Sequence, residues 1–89
     1  MRVIVTVYGL DRVGIIYHVC KQLAEANVNI LDISQTVMQG LFTMTMLADM
    51  TGATKELVTL RSQLDELGKS MGITIRIQSE DLFTAMHTV

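Results

Sequence analysis

The chain has 89 residues, 49% of them hydrophobic, with seven Lys and Arg against nine Asp and Glu for a formal charge of −2. That length predicts one domain with a modest core of its own, and so apolar a composition predicts that part of its surface is covered by a partner. The slight acidity excludes the basic footprint that nucleic acid or an anionic membrane surface would require.

Residues 2–8 are β-branched and aromatic, with Val3, Val5 and Val7 in one phase, which predicts a strand. The run is too short and too soon interrupted, by Thr6 and then Asp11 and Arg12, for a secretory leader. No stretch approaches the ~18 apolar residues of a membrane helix. The lone Cys20 fits a reducing compartment, so a soluble cytoplasmic protein is expected. After the turn formers of residues 9–14 the period changes. Ile16, Val19, Cys20, Leu23 and Ala24 fall on one stripe of an amphipathic helix, which Asn27 is suited to stop.

Residues 28–38 read as a second strand whose apolar positions change phase, which predicts a bulge near Leu31 or Asp32. Gln39-Gly40 predicts a tight hairpin into a strand over residues 41–50, with Phe42, Met44, Met46, Ala48 and Met50 facing one way. Thr54 is a candidate N-cap for a second helix carrying Glu56 in its first turn and the stripe Leu57, Leu60, Leu64 and Leu67. Asp65 and Lys69 are spaced as an i,i+4 pair, and Gly72 stops the helix. Residues 73–78 alternate again, with Ile73, Ile75 and Ile77 inward.

The order is βαββαβ. It predicts an α+β, ferredoxin-like two-layer sandwich with an antiparallel sheet ordered 4-1-3-2 and both helices on one face. The domain is expected to span 1–79, with 80–89 as a C-terminal helical tail in which Leu82, Phe83, Met86 and Val89 dock on the body or on a partner.

The segment Tyr8-Gly9-Leu10-Asp11-Arg12-Val13-Gly14-Ile15-Ile16 ends a strand and opens a helix. Its amides therefore converge at a positive helix end, a place for an anion such as an amino-acid carboxylate. Gly14 allows a close approach of backbone or ligand. The plainer reading is a tight turn in which Asp11 caps the helix. His18 and His87 have no fixed relation to each other and read as a surface and a tail residue, Cys20 as a small hydrophobe, and the methionines as adaptable core. No cofactor, no metal site and no catalytic set is expected.

Asp11-Arg12-Val13-Gly14-Ile15, together with Asn29-Ile30-Leu31-Asp32-Ile33-Ser34-Gln35, resembles ACT domains, the amino-acid-sensing modules of metabolic enzymes. The likeness runs from residue 2 to 78. It is nearest to small stand-alone ACT proteins of uncharacterised function and is shared with the glycine-cleavage-system repressor and the N-terminal domain of formyltetrahydrofolate deformylase. The tail Asp81-Leu82-Phe83-Thr84-Ala85-Met86-His87 is similar to that of the stand-alone group.

The resemblance implies a regulatory, non-enzymatic homodimer with an amino-acid ligand at its interface. Asp11, Val13, Gly14 and Ile15 would form the loop side, with Asn29 or Asp32 from the second strand. Amino-acid-binding members often carry Asn or His in this loop, where this chain has Asp11-Arg12. The alternatives are an interaction module that acts through its dimer or a protein partner, and an acylphosphatase-like hydrolase. The last would want an arginine inside the first helix, where Lys21 stands. An RNA-recognition sheet would need more rings than Tyr8 and Phe42. A metal carrier would need a Cys-x-x-Cys.

Overall fold

The computed structural model describes residues 1–11 and 13–87, the last two by their backbone alone. The elements follow one another as β1 (Arg2–Leu10), α1 (Ile15–Glu25), β2 (Asn29–Met38), β3 (Leu41–Asp49), α2 (Leu57–Met71), β4 (Ile73–Ser79) and α3 (Glu80–His87). The four strands form one antiparallel sheet in the order β2-β3-β1-β4, the expected order read from the other edge.

Alternation drives the layering. Val3, Val5 and Val7 of β1, Phe42, Met44, Met46 and Ala48 of β3, and Ile73, Ile75 and Ile77 of β4 are all buried beneath the helices. Leu60 and Leu64 of α2 and Ile15, Val19 and Leu23 of α1 close the core from the helical layer. The expected inward stripe of α1 is therefore shifted by one residue. Ile15, not Ile16, heads it, while Ile16 and Ala24 are exposed and Cys20 is half-buried. Partial burial pushes the Cys20 thiol pKa up.

Two turns match the residues that make them. Gln39 and Gly40 both take positive φ, 52° and 81°, as a two-residue hairpin requires. Asn27, φ 56°, leaves α1 in the left-handed region, and its side-chain amide donates to the Gly52 carbonyl at 2.8 Å. The register between β2 and β3 shifts between Ile30 and Asp32, placing Leu31 in the expected bulge.

Two cap assignments need correction. α2 begins at Leu57 with Glu56 at its N-cap, not at Thr54. The Thr54 amide donates to the Ala26 carbonyl at 2.9 Å, which fastens this residue to the end of α1, and the helix starts three residues farther on. Asp11 does not cap α1: the N-cap is Gly14 with φ 88°, and no side-chain hydrogen bond caps that end. The Asp65–Lys69 pair forms at 3.2 Å.

The tail is helical and lies against β1 and β4 of its own chain. Ser79 Oγ accepts from the Leu82 amide at 3.2 Å, and Glu80 pairs with Arg2 at 2.9 Å. Phe83 is half-buried and Leu82 exposed, while the side chains of Met86 and Val89 lie outside the described residues.

Candidate functional site

β1 delivers the chain to one end of the sheet, and residues 11–14 turn it into α1. The Asp11 amide donates to the Gly40 carbonyl at 2.8 Å, tying this turn to the β2–β3 hairpin beside it. Gly14 carries the reversal. A Cβ added there would meet the His18 ring at 3.3 Å, in a backbone conformation that side chains rarely adopt. The first helical hydrogen bond runs from the His18 amide to the Gly14 carbonyl at 2.9 Å. The amides of residues 15–17 precede it and have no helical partner of their own. They form the positive end of α1.

Asp11, Gly14, Ile15, Ile16, Tyr17 and Phe42 line a concavity of about 290 Å³ at this end. The structure thus brings together three of the residues singled out from sequence, Asp11, Gly14 and Ile15. It adds Ile16, Tyr17 and Phe42, which the periodicity had assigned to a helix stripe, a solvent face and the core. The signal for them was position, since the first helical turn and the first inward residue of β3 both abut the loop. Val13 points away and is fully exposed. Arg12 lies outside the described residues.

Asn29 and Asp32 stand elsewhere. Leu10, Leu41 and Met38 are level at the loop end, whereas Arg2, Asp49 and Asn29 are level at the other. Eight residues along β1 separate these rows, roughly 27 Å at the usual strand rise. Asp32 is level with Leu47 and Ile4, roughly 20 Å from the loop end. Its carboxylate accepts from the neighbouring Ile33 amide at 2.9 Å. Asn29 borders a separate concavity with Asn27, Asp49 and Gly52. There the Thr51 hydroxyl and amide both donate to Asp49 Oδ1, at 2.6 and 2.9 Å, and these bonds lower the Asp49 pKa. Within one chain, Asn29 and Asp32 do not meet the loop.

A wider groove, about 660 Å³, runs between α2 and β4 past Val58, Arg61, Asp65, Arg76 and Leu82. Arg61 is committed there, its Nε and Nη2 donating to the Ile77 carbonyl at 3.3 and 3.2 Å. The described residues contain no group of three or more His, Cys, Asp or Glu side chains placed to hold a metal, and no helix long and apolar enough to cross a membrane.

A two-layer βαββαβ sandwich with its concavity at the first strand-to-helix turn defines the class. The sequence profile of the ACT domain matches residues 1–78. A UPF0237 protein of Clostridium acetobutylicum is 48% identical over 89 residues, covering 100% of both chains. One from Methanocaldococcus jannaschii is 47% identical over 88 residues, covering 99% of this chain and 98% of that one. Among solved structures, an ACT domain protein from Streptococcus pneumoniae superimposes with a TM-score of 0.80 at 32% identity, over 100% of this chain and 97% of that one. The chain belongs to the ACT domain family.

Proposed function

We propose that the protein is a regulatory module that binds an amino acid or a similar small metabolite, at a site completed between two copies of the chain. The concavity at the β1–α1 turn carries this reading. A free amino acid is a zwitterion. The Asp11 carboxylate suits its ammonium group, and the positive N-terminal end of α1 suits its carboxylate. Ile15, Ile16 and Phe42 offer an apolar wall to a side chain. Nothing in this arrangement supplies a nucleophile with a base, so the reading is binding rather than turnover.

The second copy is argued from β2. From Leu31 to Met38 every residue is exposed, and the strand holds no Lys, Arg or Pro to discourage pairing. Ile33 and Val37 lie opposite the buried Met46 and Phe42, hence on the helical side of the sheet, yet they remain 40% and 55% exposed. In a right-handed crossover, α1 turns Ile16, Cys20 and Ala24 toward this same side. Antiparallel pairing of two β2 edges about a two-fold axis would cover these groups together. It would also carry the partner's Asn29 and the partner's Asp32 from the far end of the sheet toward the loop.

Thermal unfolding in the presence of single amino acids tests the ligand. A ligand at a hundredfold excess over Kd adds about 2.7 kcal/mol, a rise of many degrees in a domain this size. The expected result is a shift from one chemical group of amino acids, lost in Gly14→Val and weakened in Asp11→Asn. Absence of any shift in the wild type would overturn the ligand reading in favour of a pure interaction module.

A further inference from the structure

α2 carries a second stripe beside its buried one. Val58, Arg61, Ser62 and Asp65 fall at i, i+3, i+4 and i+7, one position round the helix from the buried Leu60 and Leu64. This stripe walls the groove of about 660 Å³ between α2 and β4, to which β4 adds Arg76 and α3 adds Leu82. The groove has more than twice the volume of the loop concavity, about 290 Å³, and shares no residue with it. Gly68 lets α2 lie against the β4 backbone. Two turns earlier the elements are bridged by the full length of the Arg61 side chain.

The charges in this groove do not cancel. Asp65, the acid among its lining residues, is drawn to Lys69 at 3.2 Å. Arg61 spends Nε and Nη2 on the Ile77 carbonyl, an uncharged acceptor, and keeps the rest of its donors. Arg76 is exposed and has neither an ion pair nor a hydrogen bond among the described residues. A chain of net charge −2 thus sets two guanidiniums without a carboxylate partner on one concave surface. Arg61 is also held in place before any ligand arrives, so binding need immobilise only the Arg76 side chain.

We propose that the groove between α2 and β4 binds a small organic anion, a carboxylate or a phosphate monoester on an aliphatic body, independently of the loop site. The guanidiniums and the Ser62 hydroxyl take the anionic group. The exposed Val58 and Leu82 take the body, which their own position leaves in water when the groove is empty. No aromatic ring stands among the lining residues, so a nucleobase would find no stacking surface. The volume lies within the range of pockets for metabolite-sized ligands and exceeds what one amino acid needs.

Proton–nitrogen correlation spectra of the full chain at constant pH test this, with hexanoate and hexyl phosphate as probes. Hexanol and inorganic phosphate serve as the separate halves of a probe. At least one probe should give saturable shifts at residues 58–65 and 74–78 while residues 13–17 stay in place, and the tighter of the two names the anion. Arg76→Gln, at an exposed side chain without a partner, keeps the fold and should weaken binding about tenfold, the worth of one charge-assisted contact in water. Ser62→Glu, which sets a carboxylate in the groove, should weaken it too. Lys21→Gln, at an exposed cation of α1 outside the groove, should leave it unchanged. Shifts from both probes that fail to saturate, or that centre on the loop, would overturn the proposal. So would a half that binds as tightly as the whole probe, or equal weakening by Arg76→Gln and Lys21→Gln.

Discussion

Along β4 the helical layer passes so close that a Cβ on Gly68 of α2 would sit 2.8 Å from the Ile73 carbonyl and 3.5 Å from the Ile75 amide. Farther along the same edge, Arg61 places its guanidinium on the Ile77 carbonyl. Along β2, no described helix or side chain does the same, and the strand presents Leu31, Ile33, Val37 and Met38 to solvent. A sheet edge is a template for another strand unless something blocks it. One edge of this sheet is engaged by its own chain, and the other stands open, as the proposed dimer requires.

That contrast can be broken from the closed side with the largest effect on the fold. Gly68→Val forces α2 away from β4 and should cost about 1–3 kcal/mol through overpacking, read as a lower urea midpoint. The open side behaves in the opposite way. Ile33→Lys should leave the chain's own stability within about 0.5 kcal/mol, since the residue is exposed. It should raise the dissociation constant of the edge dimer about ten- to a hundredfold, the worth of one apolar side chain at an interface, as measured by sedimentation at serial dilutions.

Arg61→Met keeps the apolar stem and removes the fork on Ile77. A loss of about 1 kcal/mol is expected by chemical denaturation, with no change in association. Asp49, on the inner strand β3, is the reference that touches neither question. Its folded-state pKa is lowered by Thr51, so its contribution is present above the ordinary carboxylate range and disappears as pH falls through the lowered value. Melting temperatures of wild type and Asp49→Asn should differ at pH 7 and converge as the pH drops well below 4.

Much of this fold was legible because every strand but β2 has one dominant period. Val3, Val5 and Val7, the β3 methionines and the alternating isoleucines of β4 all lie where their spacing puts them. The Gln39-Gly40 turn and the bulge at Leu31 follow equally from residue chemistry. Helix starts were less legible. Thr54 has the chemistry of a cap, but a contact between segments distant in sequence, from its amide to the Ala26 carbonyl, holds it ahead of the helix, which begins at Leu57.

The site was legible only in its loop half. Asp11, Gly14 and Ile15 meet because they are neighbours in the chain. Asn29 and Asp32 begin a strand parallel to β1, and the first residues of a strand lie at the opposite end of the sheet from the last residues of its parallel companion. No inspection of one chain could bring them together. In the proposed edge dimer a second copy running the other way would.

Backbone hydrogen exchange, read by mass spectrometry at a concentration above the dissociation constant and again after hundredfold dilution, compares the two edges directly. The account predicts that amides of β2 are protected in the concentrated sample and exchange rapidly after dilution, while those of β4 near Ile75 and Ile77 are protected in both. Equal, concentration-independent exchange of β2, or protection that appears on β4 instead, would contradict it.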